Sequence, residues 1–443
     1  MRILFIVGSF PSLSQTFVIN QIAGAVARGH DVSIFGMSGP PAELCKTHPD
    51  VMTHDLLGKT FYGAEVPNAW GARIESAAHI LASARGADRA RALRLLNVVA
   101  HGRIALSLRL LHLGEPLFGR GPFDIIHCQF GTYALKALAL RRSGILEGQL
   151  VTSFRGYDIS SFVQHSGESV YDRLFAEGDW FFANCDFFRD RAIALGCDPT
   201  RIRTLGSGID LRCFPYRPRV RPADGRTRLV TVGRLVEKKG VGYAIDTAAA
   251  LLARGHDIDL RIAGEGPLRD EYQRSIKRLG VERHVTLLGA MTQPEIVRLL
   301  EDSDIFIGPS VTARNGDQDA PTNTLKEAMA LGLPVVTTRH GGIPELVEDG
   351  VSGFVLPERD VAAITTAVEK LIAHPERWAE MGRAGRATVE ARYDNVHLND
   401  ELIQTYEALL DRSPQPASRK RARSRDGNVG AIPLQASGAR PLD

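Results

Sequence analysis

The sequence lacks most of the features that would place it in a specialised class. Five cysteines (Cys45, Cys128, Cys185, Cys197 and Cys213) are scattered through 443 residues without a C-x-x-C pair. That suggests neither a disulfide framework nor a zinc cluster, so no metal site is expected, and it fits a reducing cytoplasm. Charge of one sign is also lacking. Lys and Arg number 54 against 51 Asp and Glu, a net +3, so the bulk charge argues for no particular partner and nucleic acid is not indicated. No run reaches the ~18 uninterrupted apolar residues of a membrane span. The opening "MRILFIVGSF" has too short an apolar run for a signal segment and reads as a first strand.

What is present is a soluble globular composition, 44% hydrophobic and 24% charged, at a length that favours two domains. "RILFIVG", the helix-like "TFVINQIAGAVARGH" and "DVSIFG" form a strand, helix, strand opening typical of a parallel sheet. The runs "FDIIHCQFG", "QLVTSFRG", "GDWFFANC" and "RIRTLGSG" extend that sheet. The segment 216–225 breaks the rhythm with prolines and is read as a linker between residues 1–215 and a second α/β domain, 226–395. That second domain alternates "RLVTVGRL", "DLRIAGEG", "HVTLLGA", "DIFIGPS", "PVVTT" and "GFVLP" with helical segments. The chain looks entirely helical from 360 to 410, with a C-terminal helix at 396–411. The remainder, 412–443, rich in Pro, Ser, Gly and Arg, is expected to be a disordered basic tail. Two such domains leave a ligand cleft between the carboxyl ends of their sheets.

Between Trp70 and Phe118, "RGADRARALRLLNVVAHGRIALSLRLLHLG" interleaves six arginines with Leu, Ile and Val. A basic amphipathic helix of this kind suits an anionic membrane surface, and a helix packed on its own domain explains the same pattern.

The chemistry-bearing residues concentrate in the second half. In "VGRLVEKKGVGYAI" a strand ends at Gly233, Arg234 emerges there, and Lys239 precedes a helix, a suitable cradle for a diphosphate. In "IAGEGP", Gly264 and Gly266 around Glu265 let the backbone approach a planar base, although a plain turn explains them equally. "DAPTNTLKEAMALGLPVVTTRHGGIPE" sets Asp319 and Glu327 around Thr322, Asn323, Thr324 and Leu325. With Asn323 or Thr324 as N-cap, the first helical amides face an anion, while Glu327 accepts from a vicinal diol of a sugar or ribose.

The order and spacing of "GRL", "EKKG", "GEGP" and Asp319, seven residues, then Glu327 resemble the donor half of the retaining glycosyltransferases of family four, which have the GT-B fold. "FPSLSQTFVINQI", "IIHCQFG", "SFRGYDIS", "FFRDRAIALGC" and "SGIDLRCF" are similar to a subgroup that builds exopolysaccharides, the colanic acid and amylovoran glycosyltransferases. The resemblance spans about residues 1–410. It implies a retaining transfer from a nucleotide sugar, UDP- or GDP-linked, to a lipid-linked or saccharide acceptor, with no metal on the diphosphate and no cofactor. Arg234 and Lys239 would hold the diphosphate, Glu327 the ribose, Asp319 the transferred sugar, and the Glu265 turn the nucleotide. Ser14, Gln15 and Thr16 would face the acceptor, His127 and Asp158 would lie on the same acceptor or sugar side, and Arg155 would approach the donor sugar or an acceptor phosphate.

Three positions depart from the family pattern. Asp319 stands where Glu is usual, Pro321 removes an amide from the loop, and Arg155 replaces a common His. A sugar-nucleotide epimerase of the same architecture, with His127 and Asp158 as an added acid/base set, and a degenerate sugar-nucleotide binder are the competing readings. A nicotinamide dehydrogenase is disfavoured because "GSFPSLS" is no G-x-G-x-x-G.

Overall fold

The first six residues after Met1, "RILFIV", are buried almost without interruption, as a strand covered by helices on both faces must be. They are the third strand of a seven-stranded sheet in a computed structural model that describes residues 1–12, 15–39 and 48–411. Ser14, Cys45 and the expected basic tail 412–443 lie outside the described residues.

The first sheet comprises β1 (Arg2–Val7), β2 (Asp31–Gly36), β3 (Thr60–Tyr62), β4 (Ile125–Cys128), β5 (Gln149–Phe154), β6 (Trp180–Ala183) and β7 (Ile202–Thr204). Its order is β3-β2-β1-β4-β5-β6-β7. The second comprises β8 (Thr227–Val232), β9 (Ile258–Ala263), β10 (Val285–Gly289), β11 (Ile305–Gly308), β12 (Val335–Thr338) and β13 (Gly353–Leu356), ordered β10-β9-β8-β11-β12-β13. Neighbouring strands in both sheets run parallel. Strand order reverses between β1 and β4 in one sheet and between β8 and β11 in the other. At such points the connections diverge and leave a crevice for a ligand.

Three expectations change. The short edge strand β3 was not expected; three half-buried residues, Thr60, Phe61 and Tyr62, give too brief an alternation to register. The basic excursion is not one amphipathic helix but the helices Gly86–Leu95, Val98–His101, Arg103–Leu106 and Arg109–Gly114, preceded by Trp70–Ser83. Gly102, at φ +61°, divides the two shortest helices, because a left-handed backbone cannot continue an α-helix. The segment 360–410 divides into Val361–Ala373, Trp378–Arg392 and Asn395–Asp411. The last helix returns to the first sheet, where Leu402, Ile403, Tyr406 and Leu409 join the core around β1.

The two domains meet through specific polar contacts. The helix Asp186–Ala194 in the first domain has no side-chain cap of its own. Glu345, from the second domain, accepts from the amides of Asp186 and Phe187 at 2.8 Å each, so a carboxylate complements a helix N-terminus across the cleft. Gln318 accepts from Arg191 at 3.1 Å and its amide donates to Ser160 Oγ at 3.4 Å. Glu345→Ala is therefore expected to lower stability by about 1 kcal/mol, the value of a helix cap, and to loosen domain closure. Urea denaturation and small-angle scattering would check this; an unchanged midpoint together with unchanged dimensions would refute the latch.

Candidate active site

The site is built from the carboxyl ends of β8 and β11 and the start of the helix Asn323–Ala330. A narrow cavity lies there, walled by Gly233 and Lys239 on one side and Thr322, Thr324 and Leu325 on the other. Gly240 makes this corner possible. It sits at φ +63°, and a Cβ there would fall 1.8 Å from the Pro309 carbonyl oxygen, so only glycine lets the Lys239 turn pack against the end of β11.

The helix beside the cavity has free donors. Its N-cap is Thr322, rather than the expected Asn323 or Thr324, and Thr322 makes no side-chain capping bond. The amides of Asn323, Thr324 and Leu325 are thus without intrahelical partners, as first-turn amides are, and the helix dipole adds positive potential there. Pro321, which has no N–H, precedes this run.

Arg234 follows Gly233 at the switch point between β8 and β11. It is half-buried, and among the described residues it forms no side-chain hydrogen bond or ion pair. Lys239 is differently placed. Its Nζ lies 2.8 Å from Asp319, while Lys238 lies 3.2 Å from the same carboxylate and 2.9 Å from Asp317. Burial alone would raise the Asp319 pKa, but the two ammonium groups outweigh it and hold the carboxyl well below the ordinary range.

Asp319 is also fixed through its backbone. Its amide donates to His340 Nε2 at 2.9 Å, which leaves the ring proton on Nδ1, facing Glu358 at 2.7 Å. Glu358 in turn accepts from the Thr312 amide and hydroxyl at 2.8 and 3.0 Å. Lys238, His340 and Glu358 were not singled out from sequence. Lys238 reaches Asp317 and Asp319 from the position beside Lys239 in "EKKG", whereas His340 and Glu358 act through a backbone amide, which leaves no motif.

Glu327, in the second turn of the helix, is 9% exposed. Among the described residues its carboxylate has neither a hydrogen-bond nor an ion-pair partner. Burial pushes its pKa up to about 7, with Lys326 pulling in the other direction. The neighbouring Lys326 is itself buried and lowered to about 7. Its Nζ donates to the Ser207 carbonyl at 2.7 Å and lies over the Tyr393 ring at 4.6 Å, which ties the helix to the segments crossing between domains.

Glu265 forms an exposed i,i+4 pair with Arg269 at 2.9 Å. Gly264 beside it, at φ +141°, stacks so closely on the β8 turn that a Cβ would lie 1.9 Å from the Gly233 carbonyl oxygen. That close approach sets the Glu265 turn directly against Gly233 and Arg234.

On the first domain, Gln15 precedes the helix that begins at Thr16 and provides no side-chain cap. Arg155 is engaged by uncharged groups. It donates to the Gln129 carbonyl and side chain, to Gln21 and Ser207 at 3.2 Å, and lies 4.5 Å from the Phe17 ring. Burial lowers its pKa to about 10, Asp158 opposing. The placement of His127 and Asp158 corrects their acceptor-side reading. His127 is fully buried, with Nδ1 2.5 Å from the Tyr406 hydroxyl and Nε2 2.8 Å from Ser153, so no ring nitrogen is left for substrate. Asp158 spends both oxygens on the amides of Gly131, Arg155 and Gly156, shaping the turn after β5.

Residues 14–212 match the family described as Glycosyltransferase Family 4, and residues 215–388 match Glycosyl transferases group 1. The chain is 32% identical over 396 residues to the colanic acid biosynthesis glycosyltransferase WcaL of Salmonella typhimurium, covering 88% of this chain and 93% of that one. It is 32% identical over 413 residues to the amylovoran biosynthesis glycosyltransferase AmsK of Erwinia amylovora, covering 92% and 100%. Anabaena Alr3699/HepE, crystallised with UDP-glucose, superposes with a TM-score of 0.67 at 19% identity, covering 92% of this chain and 100% of that one. A likeness of that kind identifies the two facing Rossmann-like domains as the GT-B fold.

Proposed function

We infer that this chain, which belongs to the family 4 glycosyltransferases, moves a sugar from a nucleoside diphosphate to a growing exopolysaccharide or its lipid-linked precursor, with retention at the anomeric carbon. The observation that carries the reading is Glu327, a buried carboxylate without a partner, on a helix whose uncapped amides share a cavity with Lys239. A vicinal diol supplies the two donors such a carboxylate lacks, and a diphosphate supplies the acceptors the amides lack.

In this scheme Arg234, Lys239 and the amides of residues 323–325 take up the negative charge that develops on the departing diphosphate. The fixed cations stand where a metal would otherwise serve. Asp319, freed from Lys239 as the diphosphate arrives, turns to the transferred sugar. The acceptor enters from the first domain past Gln15 and Thr16, and the leaving phosphate oxygen takes its proton on the same face of the sugar, which preserves configuration. The site of action is the cytoplasmic face of a membrane that carries the acceptor. The epimerase reading is not favoured: the relatives named above are glycosyltransferases, and His127 and Asp158 have no free polar atoms for acid/base work.

The test is nucleotide binding across pH. A ribose diol donates to ionised Glu327, so binding releases a proton wherever the free carboxyl is protonated. UDP or GDP affinity should therefore fall by about tenfold between pH 7.5 and 5.5, beyond any change in Glu327→Gln, whose profile should lack this component. The sign for stability is the reverse. A carboxyl raised by folding favours the folded state below its ordinary pKa, and loses that contribution as pH rises through about 7. Calorimetric titration at the two pH values decides, and no binding of any nucleoside diphosphate would overturn the proposal.

A further inference from the structure

The helices that interrupt the first sheet between β3 and β4 present an apolar surface that the fold does not cover. Val99 is 98% exposed, Leu106 57% and Trp70 56%, whereas other side chains of the same helices, Ala77, Leu95 and Leu110, are in the core. The exposed residues adjoin one another. Arg73, on the Trp70 helix, lies 5.1 Å from the Trp70 ring and donates to the carbonyl of Ser107, next to Leu106, at 3.4 Å. Val99 belongs to the short helix packed against the one that ends at Leu106.

The same segment concentrates positive charge. Residues 85–114 hold six arginines and a single carboxylate, Asp88, a surplus greater than the +3 of the entire chain. Arg91 is satisfied by Asp88 and Glu147, but Arg85, Arg89 and Arg109 are exposed and among the described residues their side chains form no ion pair. Glu75 is the one acid on the Trp70 helix. Exposed tryptophan and aliphatic side chains carried on the same helical insertion as long-stemmed cations without an ion pair among the described residues match the two layers of a bilayer interface: acyl boundary for the first, anionic headgroups for the second.

We propose that the helical insertion 70–114 docks the enzyme on an anionic lipid surface, with Trp70, Val99 and Leu106 entering the interface and Arg85, Arg89 and Arg109 meeting the headgroups. No helix among the described residues is long and apolar enough to cross a membrane, so this attachment is peripheral and reversible. The Ala100 carbonyl accepts from Arg173 at 3.4 Å, two residues beyond Tyr171, whose hydroxyl donates to the Asp158 carbonyl at 2.7 Å. The docking surface is thereby braced to the loop that borders the cleft. The proposal rests on the membrane-borne acceptor of the reading above and adds a location to it, but its test needs no sugar.

Co-sedimentation of the full chain with vesicles of 40% phosphatidylglycerol in phosphatidylcholine, against pure phosphatidylcholine, measures the effect. Binding is expected on the anionic vesicles, at least tenfold weaker in Val99→Asp/Leu106→Asp and in Arg85→Glu/Arg89→Glu. All four positions are exposed, so the variants keep their fold and their UDP affinity. A full chain with Arg419, Lys420, Arg421, Arg423 and Arg425 replaced by serine should retain most of the binding. The proposal is overturned if wild type ignores anionic vesicles, if Val99→Asp/Leu106→Asp binds as wild type does, or if the serine substitutions alone abolish binding. A concentration-dependent dimer broken by Val99→Asp/Leu106→Asp, without vesicle binding, would assign the surface to a second copy instead.

Discussion

Arg234→Ala is expected to lower the kcat/KM of sugar transfer by about a thousandfold, roughly 4 kcal/mol of transition-state stabilisation, while leaving the stability of the unliganded protein unchanged. The reason lies in what Arg234 does not touch. It occupies the switch point of the second sheet, and among the described residues its guanidinium forms no hydrogen bond or ion pair, so none is lost with it. Its two forked donors are the residue's contribution to a departing diphosphate, and an alanine leaves that charge to Lys239 and three amides. Arg234→Lys should recover only part of the loss, because an ammonium cannot bridge two phosphate oxygens in one plane. Steady-state kinetics beside a denaturation curve separate the outcomes. A rate loss under tenfold, or a loss that tracks destabilisation, would place the diphosphate elsewhere.

Asp319→Asn should behave in the opposite way and strike stability first. The carboxylate is 9% exposed between Lys238 and Lys239, and its removal leaves Lys239 as a half-buried ammonium without a counter-ion among the described residues. Breaking a buried pair from one side costs about 3 kcal/mol or more, so the urea midpoint of the free variant should fall accordingly. Lys238 is less affected, since Asp317 remains at 2.9 Å. Nucleoside diphosphate should restore much of the difference, because the ligand brings the negative charge that the variant lacks. The stabilisation by UDP or GDP is thus expected to be larger in Asp319→Asn than in wild type. Equal midpoints without ligand would show that the lysines do not depend on Asp319. An equal ligand effect in both proteins would show that the diphosphate and Asp319 do not exchange on Lys239.

The lysine pair also bears on the Asp at position 319, where the family resemblance leads one to expect Glu. Asp319 is drawn back onto the lysine pair and its amide is anchored on His340, which rests on Glu358. The sugar-facing role proposed for Asp319 would then require a movement of the side chain as Lys239 changes partners. A Glu at this position would span both tasks with less movement, and an Asp makes them successive.

Most of the strands were legible because buried parallel strands are nearly continuous apolar runs, and such runs need no partner to be noticed. Arg234, Lys239, Thr322 and Glu327 were legible as well, since strand ends and helix starts place their neighbours by local geometry alone. The division of the arginine-rich segment into several helices was not. Its apolar and basic residues suit a single helix by periodicity, and Asn97 capping a new helix start, with Gly102 and Leu108 at positive φ, breaks it. His127 and Asp158 looked like chemistry because a polar residue at the end of an apolar strand so often faces a ligand. Their partners, Tyr406 nearly three hundred residues away and the amides of 131, 155 and 156, are visible only once the chain has folded.

The sequence by itself determined the two parallel α/β domains, the cation-bearing turn after β8 and the acid-containing helix, because each depends on contacts within one supersecondary unit. The tertiary structure alone decided that Asp319 is held by both lysines while Glu327, among the described residues, is left without a partner, and that Glu345 of one domain caps a helix of the other. Those outcomes depend on charge and burial summed over segments distant in the chain. Local pattern carries no record of which carboxylate will find a cation in the folded protein.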